Sequence, residues 1–566
     1  MGSTIPIPIF LISLLCVLHS QNIQSSAQNI LEKQQIPSNA LEKIDHLEEQ
    51  KRLEEFKYKE RKNQRQKERE NRPAPKPHIG PRFLVKRILV SQSKILDREE
   101  IAKVIAKYEG RYLNVIELQQ IVRDINQIYA SKLGFLSQAT LPPQKIKNGV
   151  VKIILIESKM GRVIFEDTFL TSPIYLKWAL PLKKDTQTNL KSLEKMLIRF
   201  NKTNNSVRVS SRLRPGAAFG ETDIIIEVSE VKRWNVLAFV DNSGSKTTGK
   251  FRYGFTSQNN SLIGLDDQLF FGGTKSSGQF SGFLSYDFPF TPLGSRAKAT
   301  YSMSRQKIVG GSFSSLDIEG KSSILSAKLS HPFLATLRWK VVTGFELVRQ
   351  IGENNLESFL LKNTVRRYSP FLSVAKEGRG MSTLGKISFH RALKKDGIGS
   401  FSKNHKWYRR WTTRISHHHL LPYHITMVTG LNGQFDSDFA LPVSEQFHLG
   451  GDNNKAYESA EFSGDRGYAF SLDFRYDLPW QIPLPQRFRP TKLKVSLSFE
   501  RGKLSWYQPN GQKAAGLRPI ESLALGLHSK MGSLLSGKIT FAAPLKKSHH
   551  PNRKTRGFLF SLQGHY

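Results

Sequence analysis

The heptapeptide GSKTTGK, Gly244 to Lys250, comes nearest to a nucleotide-binding motif in this 566-residue chain. A phosphate-binding loop needs glycines that bring backbone N–H groups to the phosphates, a lysine, a metal-ligating hydroxyl after it, and a helix beyond. Phe251 stands where the hydroxyl is required, and a strand pattern follows, so this segment is expected to be a hairpin turn. His417, His418 and His419 offer three imidazoles in a row. Neighbours on a strand point to opposite faces, which does not make a three-ligand metal site. The sequences His-Glu-x-x-His and Gly-x-Ser-x-Gly do not occur, and no carboxylate pair stands in a recognisable context. The chemistry to be expected is therefore not enzymatic, with no cofactor and no metal.

The elements behind these residues begin with an apolar run from Ile5 to Leu18, followed by Ser25 and Ala27. It is too short to span a bilayer as a helix and has the small residues of a cleavage site, so residues 1–27 read as a signal peptide. The single cysteine, Cys16, lies inside it, and the exported chain is expected to carry no disulfide. A formal charge of +38 raises nucleic acid as a partner. Export makes that contact improbable, and outer-membrane lipid rich in phosphate, or an acidic passenger, suits the location better.

Residues 28–80 divide into a charged, helix-favouring stretch, Ala40 to Arg72, and a Pro-rich tether, Pro73 to Pro81. The stretch carries a thin apolar stripe of Leu41, Ile44, Leu47, Leu53 and Phe56. It is expected to form a helix, either solvated or occupying a water-filled pore. From residue 81 to 159 the pattern runs strand, helix, helix, strand, strand, with FLVKRILV read as one strand and VVKIILIES as an edge strand. Asp97 is positioned to cap the first helix. A less regular second copy covers 160–231, ending in VRVSSRLRPG and ETDIIIEVSE.

From residue 232 to 566 the period is two. Leu337, Trp339, Val341, Phe345 and Leu347 alternate with polar residues, as do Tyr468, Phe470, Leu472, Phe474, Tyr476 and Leu478. Segments of about ten residues alternating in this way, with aromatics at their ends, face lipid on one side and water on the other. The length suffices for on the order of sixteen antiparallel strands around an aqueous lumen. The final GFLFSLQGHY puts Phe558, Phe560, Leu562 and Tyr566 on one face. The expected fold is an all-β transmembrane barrel preceded by two small α/β domains and an N-terminal helix.

At these residues the chain resembles the transporters of two-partner secretion, the hemolysin-secretion and filamentous-hemagglutinin transporter type of the Omp85 superfamily. The carriers are YASKLGFLSQATLPPQKIKNGVVKIILIES in the first domain, Leu213, Pro215, Gly216, Gly220 and Asp223 in the second, and Asp241, Asn242, Gly244, Gly249, Gly264 and Asp267 in the first hairpin. The resemblance makes the two small domains POTRA domains. It also implies a loop folded into the lumen whose Val-Arg-Gly-aromatic tip falls here on Asn454, Lys455, Ala456 and Tyr457, with two residues between it and the pair Gly450 and Gly451. A second family block falls on Gly464, Asp465, Arg466, Gly467 and Tyr468. The family's loop arginine pairs with an aspartate of an Asp-x-Gly motif on the wall, which reads Glu500 and Gly502 here. Glu500 has the parity of Ser496 and Ser498, opposite to Leu493, Val495, Leu497 and Phe499, and so points to the lumen. Lys455 and Arg466 are the two cations that could meet it.

The resemblance implies a bacterial outer-membrane transporter with periplasmic recognition domains. It would capture an unfolded partner polypeptide, of hemolysin, adhesin or toxin type, and export it without nucleotide hydrolysis. Assembly machinery for outer-membrane barrels would read the terminal strand ending at Tyr566. The rival readings are an Omp85-type assembly factor, which would carry more POTRA copies, and a porin or adhesin, which has no use for folded domains ahead of its barrel.

Overall fold

The computed structural model describes residues 81–566 except 132–136, 188, 312–313, 357–358, 397–406, 436–440, 480–489, 508–515, 517–518, 533 and 546–556. The signal peptide and the charged helix expected over Ala40 to Arg72 lie outside the described residues.

Alternating segments between Trp234 and His565 form sixteen strands, each antiparallel to the next, and the last, Phe558–His565, closes on the first, Trp234–Asp241. Closure leaves no edge, the condition for a sheet to stand in hydrocarbon, where no water satisfies a bare N–H or C=O. The wall is inverted relative to a water-soluble protein. Leu325, Leu347 and Leu497 are more than half exposed on the outer face, whereas Ser302, Ser322, Ser496 and Ser498 are buried on the inner one. No helix among the described residues is long and apolar enough to cross a membrane. The segment Gly244 to Lys250 lies in the first hairpin connection, where Gly249 has φ +105° and the Gly244 N–H donates to the Lys250 carbonyl at 2.9 Å.

Ahead of the barrel, helices Arg98–Ile105 and Val115–Ser131 pack on a three-stranded sheet. Its core gathers Val85, Ile121, Ile125, Tyr129, Val151 and Ile153. Asp97 forms a capping box with Glu100 at the first helix. Two expectations are corrected. FLVKRILV is two strands, Phe83–Val85 and Arg87–Val90, because the Lys86 and Arg87 N–H groups both turn to the Gly149 carbonyl. The first pairs with an unforeseen strand, Arg111–Leu113. Val150–Glu157 is the central strand and not an edge, parallel to Arg87–Val90 on one side and antiparallel to Ser137–Thr140 on the other. Val151, Ile153 and Leu155 face the core under the helices, while Lys152 is exposed on the other face.

The following unit repeats the order with strand Lys159–Glu166, helix Leu190–Thr203, and strands Val207–Pro215 and Glu221–Glu230. A further helix, Pro173–Ala179, was not anticipated, although Ser172 before Pro173 is a capping signal, and the Ser172 hydroxyl accepts from Ile174 N–H at 3.3 Å. Asp223, which the family pattern marks, is buried at the centre of this sheet's end. Backbone and side chain of Arg162 reach it at 2.8 and 3.0 Å and Arg214 at 3.4 Å. These donors, the Arg162 N–H first, hold its carboxyl below the ordinary aspartate range.

This unit sits on the barrel's periplasmic turns through one buried carboxylate. Asp266 accepts from the N–H groups of Asn205 at 2.9 Å and Ser206 at 2.6 Å and from Arg296 Nη1 at 2.7 Å. Arg296 also binds Asp287. Lys202 adds an ion pair to Glu377, and Ser172 N–H donates to Gly264 O at 2.8 Å. Removing the guanidinium strands two carboxylates where water is scarce, a loss on the order of 3–5 kcal/mol. Arg296→Gln should therefore loosen the seat and leave the barrel closed. Limited proteolysis near Lys232 and Arg233 should accelerate several-fold while heat-modifiable migration persists; unchanged cleavage would remove Asp266 as the anchor.

Candidate functional site: a loop latched inside the barrel

The connection between strands Ile425–Phe435 and Arg466–Asp477 contains a small hairpin, Phe447–Leu449 with Phe462–Gly464. Its tip is a tight set of turns. Gly450 has φ +106°, and a Cβ there would meet the Glu458 carbonyl at 1.9 Å, so only glycine fits. Gly451, at φ +65°, donates its N–H to Tyr457 O at 3.0 Å. The Asn454 and Tyr457 N–H groups continue the turns, to Gly451 O and Asn454 O, both at 3.2 Å.

The tip packs inward. Asn454, Ala456 and Tyr457 are buried, and Leu449, Ala456, Tyr457 and Phe462 form an apolar cluster with Ala469, Leu504, Ile520, Ala524 and Ala542 of the wall. Small wall residues make room for the loop. A Cβ at Gly502 would lie 2.7 Å from both methyls of Leu449, and one at Gly467 would lie 2.6 Å from Leu504 and 2.8 Å from Phe447. Gly502 thus serves as a recess for the loop's leucine, a steric role that its place two residues after the acid does not itself disclose.

Lys455 meets Glu500 twice. Its backbone N–H donates to Oε2 at 2.6 Å, and its ammonium donates to Oε1. Ser522 Oγ donates a third hydrogen bond at 3.0 Å. Glu500 is completely buried and Lys455 mostly so. The backbone contact would survive a change of side chain, while the ammonium supplies the compensating charge that a buried carboxylate requires. Arg466 does not share this site. It faces Ser505, five positions along strand Pro490–Ser505 from Glu500, about 16 Å at the usual rise. It also has the outward parity of Tyr468 and Phe470, and its guanidinium lies 5.0 Å from the ring centre of Tyr507. Gly464 lies against the Ser505 carbonyl, which would be 2.9 Å from a Cβ there.

Two further anchors hold the base of the loop, and sequence reasoning missed most of their members. Glu445, buried at the start of the hairpin, pairs with Arg367 and Arg410 of the wall. Gln434 Nε2 bridges the carbonyls of Glu445 and Asp465, both at 3.0 Å. Asp465 accepts from Leu441 N–H at 2.7 Å, Gln446 Nε2 at 3.2 Å and Tyr507 N–H at 2.7 Å. The signal for the arginines was their lumenal parity in otherwise alternating strands. A loop glutamate has no period to betray it. His417 and His419 share the outer face of strand Trp407–Leu421 with ring centres 5.9 Å apart, whereas His418 bonds Ser416. No group of three metal-ligating side chains occurs among the described residues.

A closed, inwardly polar barrel, an ion-latched loop within it, and α/β domains on its periplasmic turns together define an outer-membrane transporter. The chain belongs to the family of haemolysin secretion/activation proteins ShlB/FhaC/HecB, which it matches over residues 220–528, and residues 83–158 match the ShlB-type POTRA domain. The heme/hemopexin transporter protein HuxB of Haemophilus influenzae strain 86-028NP is 24% identical over 483 residues, covering 81% of this chain and 83% of its own. The outer membrane transporter CdiB of Dickeya dadantii is 23% identical, covering 72% and 74%. The structure of CdiB from Escherichia coli superimposes with a TM-score of 0.61 at 20% identity, over 92% of this chain and 98% of that one.

Charge tests the latch. Glu500→Lys should reduce export at least tenfold with the barrel still folded, and adding Lys455→Glu should restore part of it. Adding Arg466→Glu should restore nothing. Rescue by Arg466→Glu, or normal export by Glu500→Lys, would refute the Lys455 pairing as the working contact. Gly502→Val, which leaves both charges in place, should weaken export too by pushing Leu449 out of its recess.

Proposed function

We propose that this chain is an outer-membrane transporter that captures one unfolded partner polypeptide in the periplasm and passes it through the barrel. The observation that carries this reading is the pairing of a barrel whose lumen holds an inward-folded loop with folded domains on the side from which a passenger arrives. The family membership supports it: HuxB is a heme/hemopexin transporter protein and CdiB an outer membrane transporter by name. A hemolysin, adhesin or toxin is the kind of passenger to expect. An assembly factor for other barrels fits the fold but not these relatives. We read the chain as acting without nucleotide hydrolysis or other catalysis, with residues 160–231 as a second POTRA domain. The terminal strand ending at Tyr566 would be read by the barrel-assembly machinery.

Capture by strand addition supplies affinity through backbone hydrogen bonds and choice through side-chain pockets. Both small domains close part of the candidate edge with the same device. Asn126 brackets Ala139, accepting from its N–H at 2.6 Å and donating to its carbonyl at 3.3 Å. Asn201 brackets Val209 in the same way at 2.7 and 2.8 Å. Strand Ser137–Thr140 is thereby occupied at its middle. Strand Val207–Pro215 runs on past its clamp, and Ser211 and Leu213, of the same parity as Val209, direct their backbone groups away from the sheet. That edge is the better acceptor for an extended chain.

The test is secretion of the large exported protein expected from the neighbouring gene. Deleting residues 160–231 should abolish it, and Ser211→Pro, which removes an N–H that the internal ladder does not use, should lower it at least tenfold. Barrel assembly, read by heat-modifiable migration, should be intact for Ser211→Pro. Secretion at the normal rate by Ser211→Pro would exclude this edge, and secretion of the partner by a barrel lacking both domains would overturn the recognition role altogether.

A further inference from the structure

We propose that the second α/β unit has a membrane contact of its own, in which Phe169, Ile174 and Trp178, with Leu262 and Ile263 of the barrel's first periplasmic turn, enter the phospholipid of the outer membrane's inner leaflet. Phe169 is 84% exposed and Ile174 79%, yet both belong to a firmly built segment. The loop ahead of Ser172 is wound about the Glu230 carboxylate, which accepts from the N–H groups of Phe169 at 3.2 Å, Leu170 at 2.8 Å and Thr171 at 2.7 Å. Ser172 then caps helix Pro173–Ala179, whose Tyr175, Leu176 and Ala179 enter the core of the unit. Ile174 and Trp178, about one helical turn apart, share the face turned away from that core. Bulky apolar side chains held out of their own core by a fixed loop and helix mark a contact with an apolar surface outside the protein.

Strand parity fixes the side of the rim on which this group stands. Two buried aspartates precede strand Gln268–Lys275, and they face opposite ways. Asp266 has the inward parity of Gln268 and binds the seat of the unit, Asn205 and Ser206. Asp267 has the parity of Leu269, which stands opposite Tyr286, and Tyr286 shares the outward direction of the exposed Leu284 and Phe288. Tyr286 Oη donates to Asp267 at 3.0 Å. Asp267 also gathers the N–H groups of Leu262 at 3.0 Å and of Ile263 and Leu265 at 3.2 Å, which folds the turn over the outer side of the wall. Leu262 and Ile263 are exposed there. The Ser172 N–H reaches the Gly264 carbonyl of this same turn at 2.8 Å. Ile174 and Ile263 thus flank one hydrogen bond, outside the wall whose inner side seats the unit.

Continuity with the barrel's lipid face identifies the partner. Trp234 opens the first strand with the outward parity of Val236 and Val240, and it follows Glu230, the hub of the Phe169 loop, after three residues. Phe288 and Phe290, at the end of strand Gln279–Pro289, are exposed at the same rim. Aromatics in this place form the girdle at the boundary of the hydrocarbon, and the loop hangs directly from it. Lys232 and Arg233, between Glu230 and Trp234, are exposed, and the Arg233 guanidinium donates to the Leu262 carbonyl at 3.4 Å. Cations beside an apolar face are what an element lying at the headgroup boundary of a phospholipid leaflet presents. A passenger bound for the lumen suits a surface outside the wall less well. Phe219 gives the contrast within the same unit. It is also 84% exposed, but it lies in the hairpin at the far end of the ladder that runs from Val207 opposite Glu230 to Pro215 opposite Thr222, roughly 26 Å away along the strands. Distance from the girdle, not exposure, separates the two phenylalanines.

Cys16 is the only cysteine, so a Cys16→Ser chain takes a single nitroxide label at a chosen site. Full-length protein carrying Phe169→Cys, Ile174→Cys or, for comparison, Phe219→Cys is to be refolded and placed in nanodiscs of phosphatidylethanolamine and phosphatidylglycerol. Electron paramagnetic resonance then reads collisions of the label with oxygen, which concentrates in hydrocarbon, and with a water-soluble nickel chelate. The Phe169→Cys and Ile174→Cys labels should meet nickel at least threefold less often than the Phe219→Cys label, and oxygen more often. Equal access to nickel at all three sites would overturn the proposal. Protection from nickel and oxygen alike would overturn it too, since that is the mark of burial against protein, whether a second copy or another part of the chain. The inference rests on the barrel spanning the membrane, which a Leu325→Cys label on the lipid face checks in the same nanodiscs. A preference for nickel there would refute that reading and the lipid contact with it, whereas a preference for oxygen at Leu325→Cys but not at Ile174→Cys and Phe169→Cys would refute the contact alone.

Discussion

Everything in this molecule depends on the pairing of its last strand with its first. A sheet in hydrocarbon cannot leave an edge bare, because each unsatisfied backbone group there costs several kcal/mol. Strand Phe558–His565 meets strand Trp234–Asp241 over five residue pairs, from Ser561 opposite Asp241 to His565 opposite Leu237. Tyr566 extends the seam with reciprocal backbone bonds to Val236, at 2.9 and 3.1 Å. On the opposite side of the ring, strands Trp339–Leu356 and Phe359–Gly378 are joined over eighteen pairs. Closure is therefore complete but short at one place, and the polar lumen, the loop within it and the domains beneath it all assume that this ring holds.

Inside the ring, charge is used differently at the two ends of the loop. Glu445 at the base sees two guanidiniums, and all three groups are nearly inaccessible. Each can be separated only by exposing an unpaired charge. At the tip Glu500 has one ammonium, one backbone N–H and one hydroxyl, and Lys455 retains some access to the lumen. An ammonium is compact and strongly hydrated, and it binds without the paired geometry of a guanidinium. Lysine at this position therefore places the weaker, more readily rehydrated bond at the tip of the loop and the stronger ones at its base.

Much of this was legible in the sequence because lipid and water impose a strict period of two. Sixteen strands, the inward direction of Glu500 and the turn at Gly244 to Lys250 follow from alternation and turn chemistry. The choice between Lys455 and Arg466 was also encoded, since Arg466 alternates in phase with Tyr468, Phe470 and Leu472 and so faces away from Glu500. What alternation cannot reach is the meeting of distant segments. Glu445 finds Arg367 and Arg410, and Asp266 finds Asn205 and Ser206, only because closure brings loop to wall and turn to domain. Val150–Glu157 was misplaced at an edge for a different reason: its lysine at Lys152 interrupts an otherwise apolar run that belongs in the middle of a sheet.

The two buried carboxylates at opposite ends of the barrel give the molecule a mechanical polarity. Asp266 ties the second α/β unit to the periplasmic turns chiefly through backbone N–H groups and one arginine, a set of donors that does not depend on what occupies the lumen. Glu500 ties the loop through a side chain lying in the lumen itself, beside the path of any passenger. A chain entering that path brings its own backbone donors and water, both of which can replace the ammonium at Glu500, while neither has access to Asp266. Breaking the inner latch therefore does not require unseating the second α/β unit. The apolar packing of Leu449, Tyr457 and Phe462 against Ala469, Ala524 and Ala542 adds to the same latch and favours the loop's place inside an empty lumen.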